Sequence, residues 1–132
     1  MRNFKELRIW QKGIDIAVKT FQLTDTFPKE DKYGICQQMT RSGVSVPSNI
    51  AEGSQRASGK EFARFLEIAY ASLAEVETQI EIAIRQKYIK EEQATILFNL
   101  SGEVGRMLNG LISSILSKLP TADCKLPTLA EG

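Results

Sequence analysis

The sequence predicts an all-α protein, an up-down-up-down antiparallel four-helix bundle whose second helix is kinked at Pro47. Three observations predict this fold: four segments repeat apolar residues at helical spacing, the breaks between them are short, and strand-like alternation is missing throughout. The chain has 132 residues, enough for one domain with a core. We assign residues 1–119 to the bundle domain, and residues 120–132, which hold two prolines and little to bury, to a disordered tail.

The first helical segment, from about residue 5 to residue 26, carries two lines of apolar residues. The larger line covers one helix face and consists of Leu7, Trp10, Ile14, Ala17, Val18 and Phe21. A second line repeats every seven residues off that face, at Ile9, Ile16 and Leu23. A helix with two apolar lines needs two partners to bury them. We therefore predict that Ile9, Ile16 and Leu23 form an exposed line that contacts another copy of the chain.

The second segment, from about residue 30 to residue 54, contains Pro47, which helix interiors tolerate poorly. A proline inside a helix removes one backbone donor, and its ring presses on the carbonyl group of the residue four positions earlier. That residue is Gly43, which can shift because it has no side chain. This spacing predicts a kinked helix rather than a broken one.

The third segment has the most regular apolar pattern. Ser58, followed three residues later by Glu61, forms a capping box that predicts its start. Glu77, Glu81 and Arg85 stand four apart on its polar side, which indicates a solvated charge ladder.

The fourth segment follows the turn at residues 86–92 and reaches about residue 119. Glu91 and Glu92 favour a helix N-terminus there. Gly102, Gly105 and Gly110 lie inside the segment, and each costs about 1 kcal/mol relative to alanine. These glycines suggest that another helix backbone comes close.

Composition excludes several classes of site. The chain has no histidine, so Ser-His-Asp, Cys-His and histidine-bearing zinc or di-iron sites cannot form. The 17 basic and 16 acidic residues give a net charge of +1, which creates no general attraction to nucleic acid or membrane. The charge is uneven, since residues 1–60 hold ten basic and six acidic residues, whereas residues 61–132 hold seven and ten. We predict no catalytic, cofactor-binding or metal-binding residue, and no enzyme activity.

The two cysteines, Cys36 and Cys124, form neither a metal-binding spacing nor a disulfide framework. We interpret them as unpaired thiols in a reducing cytoplasm. The N-terminal stretch has charges scattered among its apolar residues, unlike a signal peptide, and no apolar run reaches the roughly 20 residues of a membrane span. The sequence predicts a cytoplasmic protein without a membrane partner.

One surface patch is a candidate for function. The patch consists of Arg41, Asn49, Glu52 and Arg56. On a helix, Arg41, Glu52 and Arg56 fall on one side with Ser45 and Ser48, at steps of three and four residues. The alternative is a kink flanked by ordinary surface charge, because Glu52 and Arg56 can pair with each other. Glu52 has no positioned second carboxylate or nucleophile beside it, so the patch does not indicate acid-base catalysis.

Three stretches resemble a known family. "VPSNIAEGSQR" at residues 46–56, "EFARFLEIAYASLAEVETQI" at residues 61–80 and "FKELRIWQKGIDIAV" at residues 4–18 are similar to bacterial four-helix bundle proteins named after reading frames in intervening sequences of 23S ribosomal RNA genes. The resemblance covers about residues 4–117, and its most specific part is residues 47–53. It implies a four-helix bundle and a ring-shaped homo-oligomer. Relatives that serve as accessory proteins in diversity-generating retroelements suggest a pentamer.

Two hypotheses for function follow. The first is a non-enzymatic, self-assembling helical protein that forms a ring-shaped scaffold and uses no cofactor. The alternative is an accessory factor that binds nucleic acid or a reverse transcriptase through the basic N-terminal half. The retroelement relatives bind their partners through strongly basic surfaces, and the nearly neutral charge of this chain departs from that pattern.

Overall fold

The computed structural model describes residues 3–119 and contains four α-helices. They are α1 (Arg8–Thr24), α2 (Ile35–Ser54), α3 (Gly59–Arg85) and α4 (Glu91–Ser117). Single 3-10 turns precede α1 and α2, at Phe4–Glu6 and Lys29–Asp31, and no strand occurs within the described range. The predicted all-α fold with four helices is confirmed. The predicted tail, residues 120–132, lies outside the described residues.

Two helices begin later than the sequence predicts. In the first segment, the backbone is extended at Leu7, so the 3-10 turn before it is separate from α1. In the second segment, Pro28 and the 3-10 turn after it lead to Gly34, the N-cap of α2, whose φ of −105° and ψ of −110° are not helical. Helix α2 then continues through Pro47 to Ser54 as one element.

Side chains cap the starts of α3 and α4. Ser58 Oγ accepts a hydrogen bond of 3.1 Å from the backbone N–H of Glu61, which confirms the cap predicted for α3. At α4, Gln93 Oε1 accepts a bond of 2.8 Å from the backbone N–H of Lys90. Glu91 and Glu92 occupy the first turn of α4, where carboxylates interact favourably with the helix dipole.

Each helix packs against two others. Helices α1 and α3 do not form an extensive contact, and each packs instead against both α2 and α4. The apolar stripes of all four helices meet in one core, whose largest fully buried side chains include Ile16, Met39, Ile50, Leu66, Ile80 and Leu108. Within residues 3–119, none of the helices has the length and apolar character needed to cross a bilayer.

The prediction of an exposed line at Ile9, Ile16 and Leu23 is wrong. These side chains retain only 5%, 0% and 8% of their surface exposure and belong to the core. The reason is the rotation of α1 about its own axis, which turns the seven-residue line toward the inside of the bundle. The larger line predicted as the core face is only partly buried: Ala17 is buried and Trp10 and Ile14 are half-buried, whereas Val18 and Phe21 are exposed. A signal for this rotation was present in Gly13 and Thr20, small residues that lie beside the buried line.

Within residues 3–119 of one chain, no other helix backbone closely approaches the glycines of α4. A Cβ atom added to Gly105 would lie 3.5 Å from the Tyr70 ring, and one added to Gly102 would lie 3.5 Å from Arg106, both ordinary contacts with side chains. Gly110 has no atom within 4 Å of the added Cβ position. The tightest glycine contacts occur on α1 and α2 instead.

Gly110 gives a direct test of this packing. We expect Gly110→Ala to raise the free energy of unfolding by about 1 kcal/mol, because alanine removes the entropic penalty of glycine in a helix without meeting any neighbour. Denaturant unfolding at a fixed protein concentration measures the change. A destabilised variant would indicate that Gly110 is covered in solution.

Candidate functional site

The structure divides the predicted patch into three separate parts. Arg56 pairs with Glu52, with 3.0 Å between Nη2 and Oε2, and its guanidinium carbon lies 4.7 Å from the centroid of the Phe65 ring. An exposed ion pair of this kind contributes about 0.2–1 kcal/mol. Since the guanidinium group also stacks on α3, Arg56 is held against the bundle. The predicted pairing of Glu52 with Arg56 is therefore confirmed.

Asn49 is engaged in a polar chain between α2 and α3. Its Nδ2 donates to the backbone oxygen and to Oγ of Ser45, at 2.8 and 2.9 Å. Ser45 Oγ lies 2.8 Å from Ser72 Oγ, which donates to the backbone oxygen of Ile68 at 3.1 Å. Because each hydroxyl group finds a partner, the chain satisfies polar groups that the helix contact covers. Asn49 thus supports Ser45, whose hydroxyl group makes the contact with Ser72 on α3.

Pro47 and Gly53, which begin and end the most specific sequence string, are both packing positions. A Cβ atom added to Gly13 would lie 3.3 Å from Cα and Cβ of Pro47, so α1 approaches α2 closely there. A Cβ atom added to Gly53 would lie 2.6 Å from Cβ of Phe65 on α3. Residues 47–53 therefore allow α2 to pack closely against both α1 and α3. These contacts favour a packing role for residues 47–53 over a functional one.

Arg41, like Glu52, is an exposed member of the patch. It forms no ion pair with any carboxylate among residues 3–119. The four predicted residues therefore do not converge on one site, and the structure leaves Arg41 alone as a cation available to a partner.

A cavity of about 410 Å³ opens where α1 ends and α2 begins. Apolar and aromatic side chains form much of its lining, including Phe21, Phe27, Tyr33 and Cys36, and Lys29 and Lys32 also line it. The sequence did not predict this site, because its residues come from two helices and the turn between them. The signal was the density of aromatic and basic residues on either side of Pro28.

Cys36 in this cavity is a poor nucleophile. Its Sγ lies 3.7 Å from the backbone oxygen of Thr24, to which the thiol donates. Burial raises the pKa of the Cys36 thiol, and the negative charges of Asp31 and Asp25 raise it further. The neutral thiol is therefore the favoured form near pH 7, and only the thiolate attacks electrophiles.

We expect Cys36 to react slowly with iodoacetamide. In a Cys124→Ser variant, which leaves Cys36 as the only thiol, the rate at pH 8 should be below that of the same protein unfolded in urea, because the raised pKa of the Cys36 thiol lowers its thiolate fraction. The pKa of the Cys36 thiol is higher in the folded protein than in the unfolded protein. The stability that the neutral thiol contributes is therefore complete below the pKa of the unfolded state, and it is lost as the pH rises through the pKa of the folded state. A pH profile of alkylation measures the shift. Equal rates in the folded and unfolded states would contradict it.

A second, smaller cavity of about 200 Å³ lies between α3 and α4. Ser101 Oγ donates to Oε2 of the half-buried Glu77 at this groove. The prediction that Glu77 belongs to a solvated ladder is therefore wrong, because this side chain turns toward α4. Arg85 and Glu81 do form the exposed pair, at 3.0 Å.

Within the described part of the chain, no group of three or more Cys, Asp or Glu side chains is arranged to hold a metal ion.

Comparisons with known proteins agree with this architecture. The family model described as "23S rRNA-intervening sequence protein" matches residues 5–110. A crystal structure from Bacteroides thetaiotaomicron VPI-5482, of a protein with unknown function from the S23 ribosomal protein family, is similar with a TM-score of 0.71. The two sequences are 29% identical over 79% of this chain and 97% of that chain. No curated protein matches the chain.

Proposed function

Since this chain belongs to the 23S rRNA-intervening sequence protein family, we propose that it is a non-enzymatic protein that assembles with copies of itself into a ring-shaped scaffold. The ring contains five copies, in line with the retroelement relatives that the sequence resembles. It works in the cytoplasm, where its thiols stay reduced. It needs no cofactor and catalyses no reaction, because its function is to present a surface.

An exposed apolar surface on α1 and α2 supports self-assembly. Val18, Phe21, Tyr33 and Val44 expose 48%, 49%, 80% and 41% of their surface, and we call this surface the α1–α2 face. Phe21 and Tyr33 line the same cavity, Val18 lies three residues before Phe21, and Val44 lies one helical turn beyond the cavity residue Thr40. Apolar patches on soluble proteins often mark contacts with other proteins.

The proposal includes the up-down-up-down course of the helices. Contacts between α1 and α2 pair Thr24 with Cys36, Thr20 with Gly43, and Gly13 with Pro47. Along these contacts the residue numbers decrease on α1 while they increase on α2. The same reversal holds for α2 and α3, where Ser45 meets Ser72 and Gly53 meets Phe65. A bend of α2 at Pro47 is the remaining part of this proposal, and it allows the two halves of α2 to follow different neighbours.

Light scattering coupled to size-exclusion chromatography tests the assembly. We expect a molar mass of about 74 kDa, five times the 14.7 kDa of one chain, at micromolar concentration. A closed ring has a fixed number of copies, so the mass should stay constant on dilution until the ring dissociates. A mass near 14.7 kDa at micromolar concentration would overturn the proposal.

The alternative function is an accessory factor for nucleic acid or a reverse transcriptase. Lys29 and Lys32 beside the aromatic rings of Phe21 and Tyr33 favour it, because cations and exposed rings together bind single strands. A ring would bring copies of these lysines together, although Asp25 lines the same cavity and the whole chain is nearly neutral. Binding would be electrostatic and independent of base sequence, since phosphate contacts carry no sequence information.

Fluorescence anisotropy with labelled single-stranded RNA and DNA tests this alternative. We expect binding at 50 mM salt that weakens steeply toward about 200 mM salt as counterion release is suppressed. A Lys29→Glu, Lys32→Glu variant should lose binding, whereas Arg106→Glu, in the groove between α3 and α4, should retain it. No binding at 50 mM salt and micromolar protein would remove direct nucleic-acid contact, leaving only a protein partner.

A further inference from the structure

Two opposite charges line the cavity between α3 and α4 without pairing. Glu77 on α3 and Arg106 on α4 both line this volume of about 200 Å³. Neither side chain forms an ion pair with another residue in the range 3–119. Arg85, the next basic residue along α3, pairs with Glu81 instead, at 3.0 Å. The cavity therefore holds an anion and a cation that are both able to accept a partner.

Each of these charged groups has a position of its own. The hydroxyl group of Ser101, a buried residue, donates to Oε2 of Glu77 and draws this carboxylate toward α4. Arg106 lies back along α4, since a Cβ atom added to Gly102 would be 3.5 Å from its Nη1. Glu77 Oε1 and the guanidinium group of Arg106 have no hydrogen-bond partner in the described part of the chain. A carboxylate oxygen and a fork of N–H donors are thus left for a bound molecule.

Two glycines of α4 create the space. Gly102 and Gly105 line the cavity, and a Cβ atom added to Gly105 would lie 3.5 Å from Cε2 of Tyr70 and 3.7 Å from Cδ1 of Leu73. A long side chain at either position would occupy part of the cavity. A water molecule takes about 30 Å³ in the liquid, so the cavity has room for a molecule of about seven non-hydrogen atoms. This is the size of a small metabolite rather than of a nucleotide or a peptide.

We propose that this cavity binds a small α-amino acid, whose ammonium group pairs with Glu77 and whose carboxylate pairs with Arg106. The two charges select this class of ligand. A ligand with only a positive charge is repelled by Arg106, and one with only a negative charge is repelled by Glu77. A neutral ligand would cover both charges without pairing them, which costs desolvation energy. A zwitterion pairs with both, and its carboxylate can accept parallel hydrogen bonds from the guanidinium group.

The walls of the cavity limit the side chain of the ligand. With the charged groups of the ligand beside Gly102, its side chain lies along α4 toward Gly105. The Tyr70 ring and the buried Leu73 form an apolar wall there, and Asn109 lines the cavity one turn beyond Gly105. The small volume therefore favours a short, apolar side chain, as in alanine. This ligand site goes beyond the scaffold function, and it does not depend on the number of copies in the assembly.

Equilibrium dialysis with radiolabelled L-alanine tests the site. We expect saturable binding of one molecule per chain. Propionate lacks the ammonium group of alanine and ethylamine lacks its carboxylate, so each should compete at least about tenfold more weakly than unlabelled alanine, the effect of losing one charged hydrogen bond. L-Tryptophan has both charges but a side chain too large for the cavity, and it should not compete.

Substitutions identify the residues that hold the ligand. Glu77→Gln and Arg106→Gln should each raise the dissociation constant for alanine at least about tenfold, because each removes one charge and keeps a polar side chain. Gly102→Val, which fills part of the cavity, should abolish binding. Glu81→Gln is the matched control, since Glu81 lies one turn from Glu77 on α3 and does not line the cavity. It should leave the dissociation constant unchanged. Arg106 is exposed, so its substitution tests the site without disturbing the core.

Several results would overturn this inference. They are the absence of saturable alanine binding to the wild-type protein, equal competition by alanine and propionate, and an unchanged affinity in Glu77→Gln or Arg106→Gln. None of these results bears on self-assembly, because neither Glu77 nor Arg106 belongs to the α1–α2 face and the mass of the assembly is measured separately.

Discussion

Gly53→Val should lower the free energy of unfolding by about 3 kcal/mol or more, the largest loss that we expect from one substitution. A Cβ atom at this position would lie 2.6 Å from Cβ of Phe65 and 3.1 Å from Cδ1 of Phe62. The Cβ of Phe65 is fixed by the backbone of α3, so the clash separates α2 from α3. Gly53→Ala should lose about 1–2 kcal/mol, because the better helix propensity of alanine offsets part of the clash.

Denaturant unfolding at one protein concentration measures these losses, with Gly110→Val as the matched control. Valine at position 110 meets no atom within 4 Å of its Cβ and should change stability little. A Gly53→Val variant as stable as the wild type would show that α2 and α3 are farther apart in solution.

Gly43→Val should lose about 2–3 kcal/mol, the second largest effect. The structure supplies a cause that the sequence did not suggest: an added Cβ would lie 3.0 Å from Oγ1 and 3.1 Å from Cβ of Thr20 on α1. Thr20 is fully buried, and its hydroxyl donates to the backbone oxygen of Ile16 at 2.7 Å, so it cannot turn away freely. The sequence-based cause, relief of the Pro47 ring, acts within α2.

Two double-mutant cycles distinguish these causes. If Gly43 relieves Pro47, Gly43→Val should cost less in a Pro47→Ala background, and if it makes room for α1, it should cost less in a Thr20→Ala background. We expect coupling energies of about 0.5 kcal/mol or more in both cycles. Additive effects of positions 43 and 47 would show that the proposed kink does not depend on Gly43.

Local interactions made several contacts predictable, although only the pair of Glu52 with Arg56 belongs to the candidate patch. The cap at Ser58, the pair of Glu52 with Arg56 and the pair of Glu81 with Arg85 join residues three or four positions apart. Helical geometry alone brings such residues together, so the sequence was sufficient to find them. The patch failed as a single site because contacts with α3 separate its members. Asn49 bonds to Ser45, which reaches Ser72, whereas Arg56 packs on Phe65.

The sequence by itself determined that the chain forms four helices, where the breaks fall, and which residues share a helix face. These properties follow from the 3.6-residue repeat, from prolines and from caps, all of which act over a few residues. The tertiary structure decided which of the two apolar lines of α1 faces inward, which glycines meet a neighbouring helix, and that Glu77 turns toward Ser101. The rotation of a helix about its own axis is set by the shapes of its neighbours, and a periodic pattern with two apolar lines is compatible with more than one rotation.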